Sequence, residues 1–157
     1  MANKMRWRYG DTNPVMHPVE TGDVVEVGDL VYLTSGKVRP ASQAADTGSA
    51  TSNQEVFHDA FVGVAMQASP AGRAGSVRVA TTGVFEFDCA AATFELGQLI
   101  GLNETSSGDA LEDQEVVAVA TENLAIGRCA QRVEPAATRV LVDVVSVVTR
   151  GGPQAAA

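Results

Sequence analysis

Residues that carry chemistry are scarce in this chain. Its 157 residues include two histidines and two cysteines. Cys89 and Cys129 cannot make a disulfide framework, and neither stands at metal-ligand spacing from a histidine. Aromatic residues amount to only 5% of the chain, so a core must be assembled mainly from Val, Ala, Leu and Ile. Basic residues are outnumbered by acidic ones, 11 to 19, giving a net charge of -8. That balance excludes the broad basic surface that phosphate contact requires. No apolar run approaches the roughly 18 residues of a membrane-spanning helix. The polar, basic N-terminus has no apolar stretch of the signal-peptide kind, so the expectation is a soluble protein made in a reducing compartment.

What is present favours sheet. Valine occurs 23 times against 8 leucines, and β-branched side chains fit a pleated surface better than a helix. The segment Glu26-Val-Gly-Asp-Leu-Val-Tyr-Leu33 has an echo at Glu95-Leu-Gly-Gln-Leu-Ile-Gly-Leu102. Phe61-Val-Gly-Val-Ala-Met66 is echoed by Ala125-Ile-Gly-Arg-Cys-Ala130, and Ser76-Val-Arg-Val-Ala80 by Arg139-Val-Leu-Val-Asp143. Three blocks thus recur in one order, 63 to 69 residues apart. The pattern predicts one all-β domain over residues 21–149, built from two pseudo-repeated β units at about 24–88 and 94–149. Cys129 aligns with Ala65, where a small buried apolar residue is expected.

Residues 1–20 differ from the rest. Lys4, Arg6 and Arg8 precede the first acid, Asp11, and the only tryptophan, Trp7, stands among them with Tyr9. Pro14 and Pro18 favour an extended path. A basic, aromatic arm of this kind can grip something outside its own domain through Met5, Arg6, Trp7, Arg8 and Tyr9. Alternatively, Trp7 folds back to plug an open end of the sheet. Further on, a short helix is expected over Gln54 to Ala60, capped by Ser52 or Asn53. A hairpin is expected around Thr82-Gly83, joining Val77–Thr81 to Val84–Asp88. Strands are expected over 115–121, 124–130 and 139–148, the last long and central. Residues 150–157 read as a flexible tail.

No catalytic or metal-binding constellation emerges. Ser35-Gly36-Lys37 lacks the Ser or Thr and the glycine spacing of a phosphate-binding loop and reads as a turn. His17 and His58 are lone histidines, expected to be solvated or to cap. The cluster Glu112-Asp113-Gln114-Glu115 lacks the glycine-punctuated spacing of a calcium loop and reads as a solvated loop. No cofactor, metal, nucleic acid or membrane is therefore expected as a ligand.

The run Gly22 to Leu33, then Phe61-Val-Gly-Val-Ala65, then Val77 to Phe87, resembles a family of tailed-bacteriophage capsid decoration, or cement, proteins. The likeness covers residues 20 to 149 and rests on glycine turns and Val-rich strands in a fixed order. It implies a compact, barrel-like or β-tulip-like fold and no catalytic residues. It also implies a place on the outer surface of the capsid in the virion, after synthesis in the host cytoplasm. The implied partner is the major capsid protein, with homotrimers locking neighbouring subunits together. The arm Met5-Arg-Trp-Arg-Tyr9 departs from the short start associated with that family. Two other readings stay open: another virion module, such as a head fibre or tail component, and a small trimeric enzyme using Asp29 or Asp88 between subunits.

Overall fold

Residues 5–153 are described by a computed structural model. The basic, aromatic segment Arg6–Tyr9 forms strand β1, and Val15–Pro18 forms β2. Four more strands follow: β3 (Leu30–Thr34), β4 (Lys37–Pro40), β5 (Phe61–Ala65) and β6 (Ser76–Ala80). The pairing order β2-β6-β5-β3-β4 is antiparallel throughout. A parallel bridge between Val19 and Val38 then brings β4 back to the end of β2 and closes the ring.

The second half repeats that plan. Its strands are β7 (Thr82–Phe94), β8 (Leu99–Glu104), β9 (Leu111–Ala118), β10 (Gly127–Cys129) and β11 (Val133–Val145). They pair in the order β7-β11-β10-β8-β9, and a parallel pairing of Asp88 with Glu115 and Cys89 with Val116 joins β9 to β7. Each strand occupies the place of the one five positions earlier, down to the parallel closing contact. The all-β, barrel-like fold expected from the repeat is thus present, as two small closed barrels. Strand β1 lies outside both rings, antiparallel to β7 with Arg6 opposite Glu86 and Trp7 opposite Phe85.

The repeat extends to single hydrogen bonds. The Glu26 amide donates to Asp29 Oδ2 at 2.9 Å and the Glu95 amide to Gln98 Oε1 at 3.0 Å. Gly28 N–H meets the Ala65 carbonyl at 2.8 Å, and Gly97 N–H meets that of Cys129 at 2.9 Å. Gly63 and Gly127 are equivalent, and at each a Cβ would collide with the carbonyl oxygen of the adjoining strand, at Ala80 and Asp143 respectively. Glycine is required there because two backbones approach too closely for any side chain.

Alternation along the strands separates two faces. Val19, Val25, Val31, Val38, Val62, Ala65, Val77 and Val79 form one buried cluster, which fills the first barrel. Its equivalents in the second barrel are larger: Ile100 for Val31, Ile126 for Val62 and Cys129 for Ala65, all buried. This larger core runs without a break into Leu30, Phe61, Val64 and Ala80 on the outer face of the first barrel and Phe57 on the helix that follows β4. Cys129 is therefore the small buried hydrophobe that the alignment predicts.

Helix α1 (Ala50–Ala60) stands between the barrels. It begins earlier than expected, because Ser49 rather than Ser52 or Asn53 is the cap, its hydroxyl accepting from the Ser52 amide at 3.2 Å. Ala50, Thr51 and Ser52 carry no apolar pattern that would mark them as helical. A four-residue helix, α2 (Val147–Arg150), follows β11. The Thr82-Gly83 hairpin does not form. β6 belongs to the first barrel and β7 to the second, and Thr81 to Gly83 are the crossing between them. Both flanking segments alternate like hairpin arms, but each finds its partner in another part of the chain. The crossing is pinned by Thr81 N–H to the Thr12 carbonyl at 2.9 Å and Thr81 Oγ1 to that of Asn13 at 2.7 Å. The remaining expected strands shift as well. β11 begins at Val133, running through Pro135, and β10 shrinks to three residues after a 3-10 turn over Glu122–Leu124. In the C-terminal tail, residues 154–157 lie outside the described residues, as does Lys4 at the other end.

Candidate interaction site

The N-terminal residues come together on one edge of the second barrel. Arg6 reaches outward along the sheet to Glu86 at 3.2 Å and Asp88 at 2.7 Å, while Arg8 pairs with Glu86 at 3.1 Å. Arg139, on the neighbouring β11, joins the same two acids at 3.4 and 3.6 Å. Three guanidinium groups thus share two carboxylates, a network in which fixed geometry makes each pair worth more than an isolated surface pair. Met5 packs against the main core. The arginines and Met5 therefore fasten the arm to its own barrel.

The aromatic members do something else. Trp7 is 49% exposed and Tyr9 52%, on a strand that ends the sheet. Trp7 donates through Nε1 to the Gly10 carbonyl at 3.0 Å, which orients the ring without burying it. Trp7 does not plug a barrel. The edge strand thus keeps two large aromatic side chains half in water while ion pairs hold it to the barrel. Beside it a groove of about 520 Å³ is lined by Arg8, Glu86, Arg132, Pro135, Arg139 and Leu141, among others.

The residues considered for chemistry are dispersed. Asp29 is buried in the first barrel's turn, where desolvation pushes its pKa up to about 6. Asp88 lies in the ion-pair network of the second barrel. The two lie in different barrels; Asp29 lines a shallow pocket with Asp23, Glu26, Ser42 and Asp113, where the Ser42 hydroxyl donates to Asp113, while Asp88 is held by arginines. His58 is not solvated: it is buried, and its Nδ1–H donates to the Ala125 carbonyl at 2.6 Å, tying α1 to the second barrel. His17 lies on β2 with its pKa lowered by burial. Burial also raises both thiol pKa values, leaving Cys89 and Cys129 poor nucleophiles. Among the described residues, no group of three or more His, Cys, Asp or Glu side chains is arranged to hold a metal ion. Among the same described residues, no helix is long and apolar enough to cross a membrane.

The acidic cluster at 112–115 is a strand, not a solvated loop. It begins β9, and two of its members cross to the first barrel. Asp113 accepts from the Ser42 amide at 2.7 Å and the Ser42 hydroxyl at 2.9 Å. Gln114 Nε2 donates to Asp29 Oδ1 at 2.7 Å. Across the junction, α1 supplies matching ties: Gln54 Nε2 to the Leu102 carbonyl at 2.8 Å and Asn53 Nδ2 to Glu104 at 2.8 Å. These polar bonds on both sides of an apolar seam fix the barrels as one stiff body. Sequence reading missed them because partners far apart in the chain, such as residues 29 and 114, leave no local signature.

Residues 40–144 match the family described as phage cement protein. Among solved structures, the head fiber gp8.5 N base of bacteriophage phi29 is similar to this chain at 12% identity and a TM-score of 0.47, covering 83% of this chain and 93% of that one. No curated protein matches the sequence. With the family match spanning most of the chain, the protein belongs to the phage cement protein family, a structural component of the virion with a capsid decoration role.

Proposed function

We propose that this cement protein sits on the outer surface of the phage head, binds the major capsid protein through its N-terminal strand, and stabilises contacts between capsid subunits. The observation that carries the reading is the edge strand β1, which leaves Trp7 and Tyr9 about half exposed while Arg6 and Arg8 hold it in place. Within the five residues Met5 to Tyr9, the aromatic pair makes the contact and the others position it. Tryptophan and tyrosine give large contact area with few rotatable bonds, so little conformational entropy is lost on docking. A cement role requires no turnover, only a rigid body and repeated attachment. Assembly as a homotrimer would multiply a modest contact into firm binding.

The test is co-sedimentation of the purified protein with expanded heads that lack it, with bound copies counted. Saturation at a fixed ratio to the major capsid protein supports the reading, and Trp7→Ala should weaken binding with the fold intact. Point substitution is preferable to removing residues 1–13, because Asp11, Thr12 and Asn13 hold the crossing at Thr81 and Thr82. Intact expanded heads that stay bare would overturn it. Label at a single vertex of whole particles would instead favour a tail component.

A further inference from the structure

The two barrels carry the same turn at the same place, and only one of the two is covered. In the first barrel the turn Glu26-Val27-Gly28-Asp29 is sealed by the second barrel. Gln114 Nε2 donates to the Val27 carbonyl at 3.3 Å and to Asp29 Oδ1 at 2.7 Å, leaving Asp29 2% exposed. In the second barrel the turn Glu95-Leu96-Gly97-Gln98 has the same internal hydrogen bonds, but Glu95 and Leu96 are open to solvent. Leu96 is 71% exposed, more than any other large apolar side chain among the described residues. Arg128 holds this turn through the Gly97 carbonyl at 3.0 Å, and Arg132 pairs with Glu95 at 3.0 Å. The turn is therefore built as firmly as its covered twin.

The difference at the fourth position defines what would fit. Asp29 and Gln98 each use one oxygen to accept from the amide three residues back. The remaining atom of Asp29 is an acceptor, matched by the Gln114 amide. The remaining atom of Gln98 is a donor, Nε2, and no described residue accepts from it. The complementary surface must offer an oxygen there, with an aliphatic hollow beside it for Leu96. The guanidinium groups at the rim are already matched, Arg128 by Glu122 and Arg132 by Glu95 and Glu134, so the turn offers the occupant an uncharged donor and an aliphatic side chain rather than a free charge.

A second copy of this chain does not meet that description. The element that covers the first turn, Asp113-Gln114, is already engaged within each chain. Its counterpart in the first barrel is the two-residue turn Ser35-Gly36, too short to reach across. Resting on the capsid-binding reading above, we propose that Leu96 and Gln98 form a second attachment point for a capsid subunit. That subunit supplies an aliphatic hollow for Leu96 and a carbonyl or carboxylate oxygen for Gln98 Nε2. With β1, this gives each molecule two contacts, so that one protein can bridge two capsid surfaces.

The experiment compares wild type, Leu96→Asp, Leu96→Met and Trp7→Ala on expanded heads lacking the protein. Leu96 is exposed, so both substitutions should leave the melting temperature unchanged. L96D is expected to bind about tenfold more weakly or worse, from loss of a buried leucine contact, with L96M close to wild type. Because both native thiols are buried, Leu96→Cys can carry a benzophenone photocrosslinker selectively, and it should label a capsid subunit. L96D binding as tightly as wild type, or crosslinks formed only between copies of this chain, would overturn the proposal while leaving the capsid reading in place. Heads left bare by the wild-type protein would remove that reading and this proposal together.

Discussion

Asp29→Asn should stabilise the protein at pH 8 and leave it nearly unchanged at pH 4. Asp29 is a buried carboxyl whose pKa is pushed from its ordinary 3.8 to about 6, chiefly by desolvation and against the pull of the Glu26 and Gln114 hydrogen bonds. An acid with a raised pKa holds its proton more tightly in the native state than in the unfolded chain. Stability is therefore fully present below about pH 4 and is lost as pH rises through about 6. A shift of about two units corresponds to about 3 kcal/mol between the protonated and ionised native forms. An asparagine never ionises. Its Oδ1 can keep the Glu26 amide, as the amide oxygen of Gln98 does for Glu95 in the second barrel. Its Nδ2 can donate to Gln114 Oε1, which is buried without a partner in the native protein, if the Gln114 amide turns over.

Allowing about 1 kcal/mol for that rearrangement, the gain at pH 8 should be about 2 kcal/mol, which moves a urea midpoint by about 1 M. The assay is urea unfolding of wild type and variant at pH 4, 6 and 8. Asp113, whose pKa is also raised by burial, and Asp143 will add their own pH dependence to both proteins. The informative quantity is accordingly the difference between the two curves. A difference that does not grow between pH 4 and pH 8 would refute the assignment of a buried, desolvated carboxyl at this junction.

Three further outcomes follow from the packing. Gly63→Ala and Gly127→Ala each place a methyl group against a strand carbonyl, so both should lose about 3 kcal/mol or more, or fail to fold, as read by circular dichroism melts. Ser42→Ala removes a hydroxyl donor to Asp113 at 2.9 Å while keeping the amide donor at 2.7 Å; a loss of about 1–2 kcal/mol is expected in denaturant titration. Trp7 is the only tryptophan and is half exposed, so its fluorescence should begin red-shifted and move to the blue when heads are added, whereas unchanged emission from head-bound protein would show that β1 stays in water.

The repeat was legible because it rests on residues with no substitute. Glycine at 28, 63, 97 and 127 satisfies tight backbone geometry, and valine or isoleucine at 31, 62, 100 and 126 fills small closed cores. Such constraints leave the same mark in both halves. The barrel closures left none, since Val19–Val38 in the first barrel and Asp88–Glu115 with Cys89–Val116 in the second are one- and two-residue contacts between strands that read like any others. The misplaced hairpin has the same origin: Val77–Thr81 and Val84–Asp88 have the right alternation for partners, but alternation specifies a face and not a neighbour. The acidic residues of β9 looked solvated because burial of Asp113 and Gln114 depends on Ser42 and Asp29, some seventy to eighty-five positions away. The arm was recognised by composition alone. What composition could not supply was the division of labour within it, with Arg6 and Arg8 turned to Glu86 and Asp88 and the two rings left facing out.

The two halves share a plan but have parted in what they do with it. The first barrel has a core of valines, carries helix α1 and has its turn at 26–29 sealed. The second barrel is larger inside, carries β1 along its edge and leaves its turn at 95–98 open. A duplicated unit of this kind can bury one copy's contact surfaces to make a rigid support while the other copy keeps the same surfaces for a partner. The change from Asp29 to Gln98 fits that separation. Inside the junction an acceptor meets the Gln114 amide and titrates with a raised pKa, whereas at the open turn an uncharged donor stays available at every pH the particle meets. Attachment through Leu96 and Gln98 should therefore be independent of pH between about 5 and 8, even where the stability of the barrel junction is not.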